Sequence, residues 1–221
     1  MNLQNWPAKI SILTFSILFL SISWLGAPAA YAKPFEWLLP IAAADRKTWH
    51  GVKLTRIGLF GLERKARPGI PAHLHTGTDI KRPKDNYNSE PVFAAAAGEV
   101  ISVRDDGPFA QVIIAHRLPE GASVWTVYEH IAGILVSPED LVSPFEPIGR
   151  FMNKKELDKF GWQFNHVHFE VLKHPPRPLK RSAKTPNRLF GTYSLECRSE
   201  AQLEKYYYDP IAFLEFQWQK P

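Results

Sequence analysis

Three short pieces of the chain carry residues that can do chemistry together: His75-Thr76-Gly77-Thr78-Asp79, Tyr128-Glu129-His130 and His166-Val167-His168-Phe169-Glu170. Imidazole nitrogen and carboxylate oxygen are zinc donors, and a catalytic zinc takes three protein ligands while keeping a position for water. His75, Asp79 and His168 supply such a set. A strand sends alternate residues to one face, so His166 and His168 project together, and one can ligate while its neighbour handles protons. Gly77 allows the chain to turn, so that His75 and Asp79 can bend toward a common point. Glu170 shares the face of the two histidines and is placed to orient a ligand from behind. Two histidines and a carboxylate also suit non-haem iron, so donor type alone leaves Zn2+ and iron both open.

The segments that must hold these residues read as strands. Val92 to Val103, Ala110 to Leu118 and Ser123 to Ile131 are rich in β-branched and aromatic residues and are separated by Asp106-Gly107-Pro108 and Pro119-Glu120-Gly121. They predict consecutive antiparallel strands, with further strands at Ile148 to Met152 and His166 to Lys173 and a turn or two of helix at Lys154 to Lys159. The expected fold is mainly β, an antiparallel sandwich or partly open barrel with an open groove. After Lys173, four prolines among basic residues oppose helix interiors and central strands, which predicts a long wrapping loop to Tyr208. Asp209-Pro210 then caps a short C-terminal helix with Ile211, Phe213, Leu214 and Trp218 on its apolar face.

In this order, His-x-Gly-x-Asp, Tyr-x-His and His-x-His-Phe-Glu-Val resemble the lysostaphin-type (LytM-type) zinc endopeptidases of bacterial cell walls, which have the duplicated hybrid motif fold. Phe60-Gly61, Pro91 to Ala95, Gly98-Glu99-Val100 and Pro147-Ile148-Gly149 extend the likeness over roughly 56–172 and 209–214. The resemblance implies one Zn2+ held by His75, Asp79 and His168, with His130 and His166 acting on the catalytic water and the oxyanion. It implies peptidoglycan as substrate, cut in its peptide stems or cross-bridges. Some relatives lack site residues and regulate wall amidases instead; a protein substrate is a third alternative. Two departures bear on substrate choice: Phe164-Asn165 stands where the family has Gly-Pro, and 173–208 is a long insertion.

The remaining features bound the setting. Lys9, an apolar run from Ile10 to Leu25 and Ala30-Tyr31-Ala32 form a secretory signal pattern over residues 1–32, and the run is shorter than the ~20 residues that span a bilayer. We expect export to the periplasm or cell envelope, without stable membrane insertion once the leader is removed. The organisation expected is a leader at 1–32, a lead-in at 33–55, the metallopeptidase domain at 56–172, and a Pro-rich insertion with the C-terminal helix, packed on the domain, at 173–221. The chain of 221 residues has a net charge of +5 and one cysteine, Cys197, which excludes an intramolecular disulfide. The basic balance suits anionic wall polymer or lipid, and no nucleic-acid motif accompanies it. His50, His73, His116 and His174 fall outside the motifs, and His73 stands near enough to visit a metal. Tyr128, Trp162 and Phe164 read as core packing, although the last two could line a groove.

Overall fold

The computed structural model describes residues 35–88 and 90–220. The leader expected at 1–32 lies outside them. Seven strands form the main antiparallel sheet, in the order Tyr207–Tyr208, His166–Leu172, Ser123–Glu129, Gln111–Arg117, Gly98–Arg104 and Leu141–Val142, with Thr78–Lys81 on the same edge of His166–Leu172 as Tyr207–Tyr208. A second sheet joins Pro91–Phe93, Pro147–Phe151 and Ile131–Ala132. The fold is mainly β with antiparallel sheets, as expected, and neither sheet closes into a barrel.

Period-two alternation gives the main sheet two buried faces. On one, Val112, Ile114, Val124, Tyr128, Val167 and Phe169 meet the second sheet, the C-terminal helix Pro210–Trp218 and the lead-in residues Trp37, Leu39 and Ile41. The other face carries Ile113, Val127 and Leu172, covered by Phe190, Tyr193, Cys197, Leu203 and Tyr207. The 173–208 segment is therefore more than a loop. It contains the helix Glu200–Tyr206, capped by the Ser199 side chain, and a ladder of Arg177–Pro178 with Phe190–Gly191. The prolines cluster before 187, whereas 200–206 is proline-free and follows a good cap, which is why composition over the whole stretch misread it.

Two expected strands are interrupted. The Val92 to Val103 run breaks at 94–97, where the chain crosses from one sheet to the other. The Ser123 to Ile131 run breaks at His130, whose φ is 64°. That left-handed turn passes the chain from the main sheet to Ile131–Ala132 in the second.

A polar chain crosses the core beneath the first of these breaks. Ala95 N–H donates to the Tyr128 hydroxyl at 2.7 Å, Tyr128 and Thr126 hydroxyls bond at 2.8 Å, and Thr126 Oγ1 lies 2.7 Å from His116 Nε2. His116 Nδ1–H donates to the Ala97 carbonyl at 2.9 Å, and Trp37 packs on the ring at 5.1 Å. Burial lowers His116 to about 4. The unfolded chain takes up a proton near pH 6.5 that folded His116 refuses, so stability complete above pH 6.5 is lost as pH falls toward 4. We predict that His116→Gln flattens this slope: between pH 7 and 4.5, urea unfolding should show the wild type losing roughly 2–3 kcal/mol more than the variant. Equal losses would refute the assignment.

Candidate metal centre

Strand register does most of the placing. Across the ladder of Thr78–Lys81 with His166–Leu172, His168 lies opposite Asp79 and His166 opposite Lys81; on its other edge His168 lies opposite Glu129. His75 sits three residues before that strand and folds back over it. Its backbone is tied to Leu62 O and Gly61 N at 2.9 and 2.8 Å. Gly77 is required there because a Cβ would strike the Phe169 carbonyl and come within 2.8 Å of His168 Cε1.

Three donor atoms converge. His75 Nε2 and Asp79 Oδ1 are 3.0 Å apart, His75 Nε2 and His168 Nδ1 2.9 Å, and His168 Nδ1 and Asp79 Oδ1 3.0 Å. The outer nitrogen of each ring fixes its tautomer: His75 Nδ1–H donates to the Leu59 carbonyl at 2.8 Å and His168 Nε2–H to Glu170 Oε1 at 3.0 Å. With both rings neutral, their inner nitrogens turn lone pairs toward a carboxylate oxygen, an arrangement that a bound cation, or a proton on His168, satisfies. Donors about 2.0–2.1 Å from one tetrahedral zinc stand ~3.3 Å from each other, close to the observed triangle. Two imidazoles and a carboxylate with these spacings fit Zn2+.

Two more imidazoles border the triangle. His166 Nε2 is 3.4 Å from Asp79 Oδ1, and its buried Nδ1 has no partner among the described residues. His130 donates Nδ1–H to the Pro108 carbonyl at 2.6 Å, leaving Nε2 as an acceptor; its ring lies 5.0 Å from that of His166. Phe164 at 4.8 Å and Phe109 at 5.6 Å hold the His130 ring. Phe164 lines the site rather than the core, and Trp162 is half exposed beside Asp79 and His166 in a groove of about 610 Å³. His73 stays outside, its ring bonded to the Pro71 carbonyl.

The charges follow from burial and sharing. Burial opposes ionisation of Asp79, but its contacts with the imidazoles of His166, His168 and His75 outweigh it and hold the carboxyl far below its ordinary range. Burial also opposes charge on His168, yet Asp79 and Glu170 at its two nitrogens prevail and raise it to about 10. His75 is lowered by burial and by the neighbouring His168 charge, despite its bond to Asp79. His130 is lowered to about 3 by burial and then by His166. Burial raises Glu129, which accepts a bond from Gln111 Nε2 at 2.6 Å.

Several supporting residues had no sequence signal. Arg64 donates to Asp79 Oδ2 at 3.0 Å, and Thr55 Oγ1 stands 3.4 Å from the same oxygen. Arg64 belongs to a basic run whose two-residue strand pairs Arg64 with His73, a contact that spacing does not show. Thr76, inside the first motif, bonds Glu170 Oε1 with its hydroxyl. Glu170 thus supports His168 as its shared strand face implied.

The sequence model of peptidase family M23 matches residues 73–181, which include all five of these histidine and aspartate positions. Residues 73–181 form a domain of peptidase family M23. This agrees with the resemblance to the lysostaphin type. Compared by sequence with curated proteins, the M23 chain matches none. Among solved structures it is similar to a zinc-containing peptidase from Vibrio cholerae (TM-score 0.42, 22% identity, 70% of this chain and 38% of that one). It is similar also to lysostaphin from Staphylococcus simulans (TM-score 0.44, 17% identity, 83% and 56%) and to the SpoIIIAH–SpoIIQ complex (TM-score 0.40, 20% identity, 62% and 92%). The chain spans well under two thirds of the Vibrio peptidase and of lysostaphin.

Two predictions follow from the geometry of the M23 site. In metal-free protein at pH 8, nitrogen-15 NMR should show the His168 ring doubly protonated and His130 neutral, and Glu170→Gln should move the His168 titration down; a neutral His168 in the wild type would contradict the shared-proton arrangement. Gly77→Ala should destabilise the fold by about 1–3 kcal/mol in urea unfolding, since backbone and ring must both yield.

Proposed function

We propose that the protein is a zinc-dependent endopeptidase that hydrolyses peptide bonds in peptidoglycan stems or cross-bridges, and that it acts in the periplasm or cell envelope. The observation that carries this reading is the triangle of His75 Nε2, Asp79 Oδ1 and His168 Nδ1, within an M23 domain, bordered by two imidazoles outside the triangle. We assign His75, Asp79 and His168 as ligands and His130 and His166 as catalytic residues. Residues 1–32 serve as the export signal in this reading.

Bound zinc would lower the pKa of a water to near 7 and polarise a scissile carbonyl. The protein side of the chemistry lies in the two free imidazoles. His130 is neutral and its tautomer is fixed by Pro108, so Nε2 receives the proton of the attacking water. His166, with Nε2 directed at the same small volume, donates to the carbonyl oxygen as negative charge develops on it. Glu170 and Arg64 hold the ligand rings and carboxylate in place rather than touching substrate. A noncatalytic regulator would have no use for five intact side chains in this geometry.

The test combines metal content with muropeptide release from purified sacculi. Wild type should bind one zinc and release muropeptides. His168→Ala should lose both, whereas His130→Ala and His166→Ala should keep zinc and lose roughly 10²–10⁴-fold in rate. Release by His168→Ala would sink the ligand assignment. Zinc binding by the wild type without release, alongside cleavage of a panel of folded proteins, would move the substrate away from the wall.

A further inference from the structure

The groove beside Asp79 and His166 has a feature that neither metal binding nor peptide hydrolysis requires. Lys53, Lys81 and Lys84 line it, all three exposed. None of them has an ion-pair partner among the described residues, whereas Lys47 and Lys220 on other surfaces do. Lys81 follows Asp79 by two residues on one strand, so its side chain leaves on the side of the metal ligand, opposite His166 in register. Lys53 is tied alongside, its carbonyl accepting Lys81 N–H at 2.8 Å. Arg82 adds a fourth cation at the groove wall, buried and bonded to Asn165 Oδ1 and two carbonyls. Of the two carboxylates that line the groove, Asp79 is already engaged by Arg64 and three imidazoles, which leaves Asp85 as the only exposed one.

A second cavity, lined by Gly107 and by Ile131, the residue after His130, has a different balance. Its charged members are Asp105 and Glu156 against Lys155 and Lys159, and Glu156 is paired with Arg150. The groove beside His166 therefore carries an excess of positive charge that the second cavity lacks, and a concave wall of one sign concentrates potential of that sign. Two strand residues rise about 6.6–6.8 Å, which sets Lys81 roughly two residues of extended peptide from the reacting bond.

We propose that the Lys53, Lys81 and Lys84 wall binds the carboxylates of an acidic peptide segment and so fixes which end of the substrate lies on the His166 side. This rests on the peptidase reading and names its substrate class: a peptide carrying free carboxylates within about two residues of the scissile bond. The lysines act as point charges, which suits carboxylates presented at varied angles better than one rigid bidentate partner would.

The experiment compares stem peptides derived from peptidoglycan in free-carboxylate form with the same peptides amidated at those carboxyls, using the zinc-loaded protein and its Lys53→Gln/Lys81→Gln/Lys84→Gln variant. Hydrolysis is followed by mass spectrometry and binding by fluorescence anisotropy. Wild type should favour the carboxylate form by roughly tenfold in KM at low salt, and the preference should fade in the variant and in 0.5 M salt, since rim charges are screened over about 10 Å or less. Zinc content verifies that the variant folds. Equal KM for both forms, or a preference that survives in the variant, overturns the proposal. If wild type cleaves neither form, anisotropy decides: charge-dependent binding keeps the groove and sinks the peptidase reading, and charge-independent or absent binding overturns the groove as well.

Discussion

Lone pairs that meet at 2.9–3.0 Å repel each other unless a proton or a cation stands among them, and this protein holds His75 Nε2, Asp79 Oδ1 and His168 Nδ1 in that position from behind. The Leu59 carbonyl pins one ring, Glu170 the other, and Arg64 the outer oxygen of the carboxylate. None of the three can relieve the repulsion by rotating away without abandoning a hydrogen bond. The triangle exists only because Asp79 and His168 are register partners on antiparallel strands. A slip of one residue would place Ile80 opposite His168 and turn the aspartate into the core, so the apolar alternation that fixes the register also fixes the metal site.

That alternation needs both faces of the sheet covered. Trp37, Leu39 and Ile41 of the lead-in close one face, and the 173–208 segment closes the other with Tyr193, Cys197, Leu203 and Tyr207. The His166–Leu172 strand runs from this apolar cover at Leu172 to the open groove at His166. Glu170, between the two, is buried and bonded to His168 and Thr76. Partners decide the protonation pattern: His130, buried among Phe109, Phe164 and His166, is driven neutral, and His168, between two carboxylates, is driven charged.

The five candidate positions and most strands could be read locally because motif order and period-two runs are local patterns. His75, Asp79 and His168 do meet, with His166 and His130 beside them. What local patterns hide is anything made by two distant segments or by one unusual dihedral angle. Arg64 reaches Asp79 through a hairpin of two-residue strands, too short to show alternation. His130 was read as strand because its neighbours are β-branched and aromatic, while its left-handed turn is imposed by the crossing between sheets. His116 looked idle as a lone histidine; its burial and its Thr126–Tyr128 partners depend on the cross-strand stack. The Glu200–Tyr206 helix was lost to a composition average dominated by upstream prolines.

A cation beside a candidate cation site calls for a reason, and Arg64 has one in the division of Asp79 between its two oxygens. Oδ1 faces the imidazoles, and Oδ2 is occupied by the guanidinium at 3.0 Å and approached by Thr55. An aspartate free on both oxygens can swing to offer two donors to one ion, which would fill the position that a catalytic zinc must leave for water. With Oδ2 committed, the set offers three donors and no more. The repulsion between Arg64 and a bound dication is the cost of that restriction, moderated by the carboxylate that lies between them.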